Sequence, residues 1–188
     1  MTEKNIDNSA SAFTTLHGVL IEINRVGVLI LGESGIGKSE NALELITRGS
    51  KLISDDIVVI KINEHAQLIG SSPITTKNLL EIRGIGIINI KDLYGNNSVT
   101  DSSVIDITVE LSIWDSETDY DRLGVEDKYY CIMGVEVPYL LIPTTPGKNI
   151  STLLEAAALN HLHKLSAPKG KLKIVDEDKT QKTASDIK

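Results

Sequence analysis

The sequence predicts an α/β domain: a phosphate-binding loop set into a mixed sheet. Three observations carry this. Residues Gly32, Glu33, Ser34, Gly35, Ile36, Gly37, Lys38 and Ser39 spell the complete pattern G-x-x-x-x-G-K-[ST]. A short apolar run at 26–31 precedes the loop, and a segment of helical composition at 40–46 follows it. The remaining segments read mainly as short strands, so a strictly alternating parallel order of strands and helices does not appear.

Taken in order, residues 16–23 alternate loosely and suit one strand, with Asn24 and Arg25 turning into the next strand at 26–31. The glycines then let the backbone wrap a phosphate. The following helix N-terminus points several N–H groups and its dipole at the same spot. Leu43, Leu45 and Ile46 supply that helix with a buried side, and Gly49 is placed to end it in a left-handed cap. Residues 51–54 and 57–62 are strand-like and flank an Asp pair. Residues 79–93 run through Glu-Ile-Arg-Gly-Ile-Gly-Ile-Ile. Residues 104–114 alternate cleanly, with Val104, Asp106, Thr108, Glu110 and Ser112 opposing Ile105, Ile107, Val109, Leu111 and Ile113. That pattern predicts a half-exposed antiparallel strand. Short strands are expected at 129–133 and 137–142, and a helix at 150–165 with Ser151 as its N-cap. Residues 1–13 are polar and expected to be disordered, and 166–188 are expected to form a flexible tail or an ordered extension.

At 188 residues the chain suits one domain. Its 41% hydrophobic and 24% charged residues are ordinary for a soluble globular protein. A net charge of −7 argues against a nucleic-acid-binding surface. No apolar run is long enough for a membrane span, and the N-terminus lacks a signal-peptide hydrophobic region, so a cytoplasmic protein is expected. The single cysteine, Cys131, cannot form an internal disulfide and is expected to pack in the core.

The chemistry gathers around the loop, which is expected to bind a nucleoside triphosphate. Lys38 suits the β/γ-phosphates, and the Ser39 hydroxyl suits a Mg²⁺ ion that also needs carboxylate oxygens. Asp55 and Asp56 follow Ser39 by 16 and 17 positions. One can hold the metal while the other takes a proton from an attacking hydroxyl. Adjacent strand residues point to opposite faces, so both can act only across a bulge or turn. A solvated acidic turn is the plain alternative. Glu81 and Arg83 would share a strand face and offer a carboxylate for metal and a guanidinium for phosphate, or else a structural ion pair. Arg122, in the polar stretch 119–124, could stabilise a transferring phosphoryl group. By itself it reads as a surface residue. His17 is equally uninformative alone. His65, His161 and His163 read as surface, and no zinc-ligand spacing emerges.

Together these stretches resemble the catalytic domain of HPr kinase/phosphorylase. The likeness covers roughly 14–165. It runs through Leu16-His17-Gly18-Val19-Leu20, the loop, Ser54-Asp55-Asp56, Glu81-Ile82-Arg83-Gly84-Ile85-Gly86-Ile87-Ile88, Asp121-Arg122-Leu123-Gly124, Val137-Pro138 and Pro146-Gly147-Lys148-Asn149. The Glu-Ile-Arg-Gly stretch is the specific part, since a phosphate loop alone fits many nucleotide-hydrolysing proteins. The resemblance implies a phosphoenolpyruvate-carboxykinase-like fold. It also implies a bifunctional bacterial enzyme that phosphorylates a seryl hydroxyl of the phosphocarrier HPr with ATP or pyrophosphate. The same enzyme reverses the reaction by phosphorolysis with inorganic phosphate, and so controls carbon metabolism and sugar transport. It implies Asp56 as the base and, once protonated, the acid of the reverse step. Ser39 and Glu81 become Mg²⁺ ligands, Lys38 a phosphate ligand, and His17 and Arg122 active-site residues. A homo-oligomer, commonly a hexamer, is implied as well.

Two departures stand out. The family usually carries an N-terminal domain that these 188 residues do not include. The loop Pro143, Thr144, Thr145, Pro146, Gly147, Lys148 is usually more basic, with Arg or Lys where Thr145 stands and Arg where Lys148 stands. That loop is associated with phosphorolysis and protein contact, so a lost positive charge there is expected to weaken the phosphorolytic direction. Two rival readings remain at this point: a kinase for another hydroxyl, and a nucleotide-binding regulatory module with little catalysis. A GTPase switch is weaker, because no N-K-x-D sequence occurs.

Overall fold

A computed structural model describes residues 12–118, 120, 128–145 and 147–166. In chain order the elements are β1 (Phe13–His17), β2 (Val19–Ile23), β3 (Val26–Gly32), α1 (Lys38–Thr47), β4 (Lys51–Ser54) and β5 (Ile57–Ile62). There follow β6 (Leu68–Ser71), β7 (Leu79–Ile82), β8 (Gly86–Asn89), α2 (Ile90–Tyr94) and β9 (Ser102–Val104). The chain continues with β10 (Ile107–Ile113), β11 (Lys128–Ile132), β12 (Val135–Thr144) and α3 (Ile150–Ser166). The expected α/β class with a mixed sheet is the one observed.

The main sheet has the order β11-β12-β10-β3-β2-β4, with β3, β10 and β12 parallel and the others antiparallel to their neighbours. A second sheet, β1-β5-β6-β9, is antiparallel throughout, and β7–β8 is a separate hairpin. Both faces of the main sheet are covered. One packs on α1 and α3 through Ala42, Leu45, Leu154 and Ala158, and the other on the second sheet through Val58, Ile60 and Leu68. That is why β2 and β3 read as continuous apolar runs: Val28 and Ile30 enter the first core, Leu29 and Leu31 the second.

Several expectations are corrected. The single strand at 16–23 is two strands in two sheets, broken at Gly18, where a Cβ would stand 2.6 Å from the Ile30 carbonyl oxygen. The alternating segment 104–114 is the short β9 plus a central strand, β10, paired in parallel with both β3 and β12. Its polar face is covered too: Thr108 is fully buried, and Tyr139 donates to the Glu110 carboxylate at 2.8 Å. Helix α3 is capped by Asn149, whose side-chain oxygen accepts from the Thr152 N–H at 2.9 Å, while Ser151 is buried inside the first turn. Cys131 is exposed because it stands on β11, the strand at the edge of the sheet. Leu43 is only partly buried; Ala42 takes its place in the core face of α1. Residues 1–11 and the whole tail after Ser166 lie outside the described residues.

Candidate active site

Strand β3 delivers the phosphate loop to the C-terminal edge of the parallel strands, where open α/β sheets take their ligands. Gly37, in a left-handed conformation (φ +97°), is the N-cap of α1. Lys38, the first helical residue, is buried and folds back on the loop. Its Nζ donates to the carbonyl oxygens of Gly32 at 2.7 Å and Glu33 at 2.9 Å. Burial pushes its pKa below the ordinary lysine value, against the raising influence of Asp55, Asp56 and Glu40.

The two aspartates sit between β4 and β5, where the chain passes from the main sheet to the second. The turn that both need is supplied by Asp56, at φ +66°, a conformation that Asp and Asn tolerate better than most residues. Asp55 is buried. Its Oδ1 accepts from the Ser39 hydroxyl at 2.9 Å and its Oδ2 from the Glu81 N–H at 2.9 Å. Burial raises the Asp55 pKa, and the Glu81, Ser39 and Asp56 hydrogen bonds partly offset this. Asp56 turns outward, and its Oδ1 lies 2.9 Å from His17 Nδ1. The β1-to-β2 crossing is fixed beside it, because the Gly18 N–H donates to the Asp56 carbonyl at 3.0 Å.

Glu81 lies on β7 and projects into the same cleft. Arg83 does not share its strand face: it opens the turn of the β7–β8 hairpin. The two form no ion pair with each other; among the described residues Arg83 has none at all. One open cleft is thus lined by His17, Lys38, Ser39, Asp55, Asp56, Glu81 and Arg83, together with Ser34, Gly35 and Gly37 of the loop. Glu40 lines it as well. Glu40 is not among the site residues the sequence predicts, although its position next to Ser39 is a signal for it.

The other expected residues stand elsewhere. Pro143, Thr144 and Thr145 lie at the end of β12, on the same sheet edge as the loop but two strands away from β3, about 10 Å by strand spacing. Neither they nor Gly147 and Lys148 line the cleft. Ile36 packs against the first core, and Glu33 does not line the cleft but accepts from Lys38 through its carbonyl. Arg122 and Pro146 lie outside the described residues.

Among the described residues no group of three or more His, Cys, Asp or Glu is placed to hold a metal ion. The cleft instead offers hard oxygens from Ser39, Asp55 and Glu81, a donor set that suits Mg²⁺ completed by phosphate oxygens and water.

A family model described as HPr Serine kinase C-terminal domain matches residues 8–177. The chain belongs to that family. It is 48% identical over 151 residues to the HPr kinase/phosphorylase of Geobacter sulfurreducens, covering 80% of this chain and 47% of that protein. It is 48% identical over 159 residues to the HPr kinase/phosphorylase of Caldanaerobacter subterraneus subsp. tengcongensis, covering 85% and 52%. The chain therefore spans about half the length of the curated relatives it matches. A solved structure of the Hpr(Ser) kinase/phosphatase from Coxiella burnetii aligns with a TM-score of 0.75 at 36% identity, covering 81% of this chain and 92% of that one.

Proposed function

We propose that this domain phosphorylates a seryl hydroxyl of the phosphocarrier HPr with ATP, or with pyrophosphate, and removes the phosphate by phosphorolysis with inorganic phosphate. The observation that carries this reading is the placement of Asp56. It shares one cleft with the phosphate loop, yet its side chain is 63% exposed. A base that faces outward can be reached by a serine on the surface of a folded protein.

In the forward direction the seryl oxygen attacks the terminal phosphorus and its proton passes to Asp56. His17 Nδ1 engages one Asp56 oxygen, which leaves the other for the acceptor hydroxyl. Lys38 and Arg83 carry the positive charge that faces the phosphates. In the reverse direction an oxygen of inorganic phosphate attacks the phosphoserine phosphorus. Protonated Asp56 then returns its proton to the departing seryl oxygen, and pyrophosphate is released. Ser39 and Glu81 are the residues that would hold Mg²⁺, which when bound offsets the negative charge of the phosphates. Arg122 keeps, by resemblance, its place as a further phosphoryl-stabilising residue.

Working in the cytoplasm as a homo-oligomer, hexameric as in the family, belongs to the same proposal. Among the described residues no helix is long and apolar enough to cross a membrane. Thr145 in place of a basic residue makes phosphorolysis the weaker direction in this reading. If Thr145→Arg brings no gain in phosphorolysis, that part is wrong.

The test is incubation with Mg·ATP and purified HPr, reading serine phosphorylation by mass shift. Asp56→Asn is the control, because Asn keeps the left-handed turn while losing the base. Transfer is expected, with the variant reduced by about a thousandfold or more. Added phosphate should then regenerate HPr and form pyrophosphate. ATP binding without transfer to HPr would redirect the reading to another hydroxyl acceptor.

A further inference from the structure

The β7–β8 hairpin meets the phosphate loop region at two points. One is Asp55, which joins Ser39 of α1 to the backbone of Glu81. The other is Arg83. A Cβ built on Gly35 would lie 2.7 and 2.9 Å from the two terminal nitrogens of Arg83 and 3.2 Å from its Cζ. The guanidinium therefore occupies the space a side chain at position 35 would fill. Position 35 is one of the four unspecified positions of the loop pattern, so phosphate binding alone does not demand glycine there. Its φ of +83° is left-handed and favours glycine by itself, with Asn the side chain that strains it least. Glycine also leaves the space that the guanidinium fills. Arg83 has no carboxylate partner among the described residues, which leaves its charge available to an anion in the cleft.

We propose that Gly35 is the seat of Arg83: it lets the guanidinium lie against the phosphate loop, where its two terminal nitrogens reach the outermost phosphate of the bound nucleotide. Gly35 is thereby a positioning residue that acts through Arg83. Seating also holds the turn that follows Glu81, so the hairpin carrying the carboxylate is fixed relative to Lys38 and Ser39. A planar fork of donors suits a phosphoryl group better than a lysine does. The inference rests on the phosphotransfer reading for its catalytic consequence but not for its binding consequence.

The test is a double-mutant cycle of Gly35→Asn and Arg83→Ala, with affinity for Mg·ATP and Mg·ADP as one readout and transfer to HPr as the other. Each single variant is expected to weaken Mg·ATP about tenfold while leaving Mg·ADP within about threefold, and the double variant to fall well short of the product of the two single effects. Independent damage to the loop by the new side chain would instead multiply the two effects, and that result overturns the seat. So does unchanged preference for ATP over ADP in both single variants. If the parent chain transfers nothing to HPr while the Mg·ATP cycle is non-additive, the acceptor assignment fails and the seat stands. Thermal unfolding midpoints of all four proteins separate misfolding from a displaced guanidinium.

Discussion

Asp106 is a half-buried carboxylate away from the cleft, and its energetics are open to a direct test. It accepts the Gly27 N–H at 2.7 Å where the chain enters β10. Burial raises its pKa; the Gly27 bond and then His161 on α3 oppose the rise, and Glu22 adds to it. A carboxyl whose folded pKa is raised contributes stability that is fully present below its unfolded value and is lost as pH climbs through the folded value. Asp106→Asn keeps an acceptor for Gly27 and carries no charge. The variant should therefore match the parent in acid and gain on it from the ordinary carboxylate range upward. Thermal midpoints across a pH series would show the widening gap, and a pH-independent gap would remove the burial argument. The aspartates at the cleft show how sequence can frame a question at this scale. Adjacency said that a turn was required for both to act, and Asp56 at φ +66° is that turn. Nothing in the sequence said that Asp55 would be the buried one, because that depends on the distant Glu81 N–H and on Ser39.

Among the elements, β10 shows what periodicity can and cannot tell. The alternation of residues 104–114 correctly separated Ile107, Val109 and Leu111 as the face of the first core. It could not give the direction of the partners, which the crossovers set, nor the burial of the other face, where Thr108 is fully buried and Tyr139 donates to Glu110. The same logic hid the break at Gly18, because two consecutive strands in different sheets look like one alternating run. By contrast, the loop and α1 were legible, since they depend on glycine positions and a local helix start. Thr108 is the residue of β10 where local pattern and tertiary burial conflict most. It is fully buried, pairs with Leu29 and Tyr139, and its hydroxyl finds no partner among the described residues. Thr108→Val keeps the branched shape that a strand favours and removes an unsatisfied hydroxyl. It should stabilise the domain by about 1 kcal/mol in denaturant unfolding. A loss of stability instead would mean that the hydroxyl is paired.

For the molecule as a whole, two cores and three sheets raise the question of whether the domain unfolds in one step. The architecture argues for one. The main sheet is common to both cores, because β2 and β3 place alternate residues in each: Ile21 and Ile30 in the first, Leu20 and Leu29 in the second. The second sheet is joined to it by the Gly18 crossing and the Asp55–Asp56 crossing, which are hydrogen-bonded to each other. Neither layer can separate without exposing the apolar residues of β2 and β3. The cleft depends on the same junction, since His17 comes from the second sheet, the loop from the main sheet, and Asp56 from the chain between them. Leu45→Ala on the helix side and Ile60→Ala on the second-sheet side each empty a fully buried site and should cost about 2–5 kcal/mol. Both should lower the same single calorimetric transition, with calorimetric and van't Hoff enthalpies equal. Two transitions, with Ile60→Ala shifting only one of them, would mean that the second sheet melts by itself. The His17–Asp56 pair would then be lost before the phosphate loop.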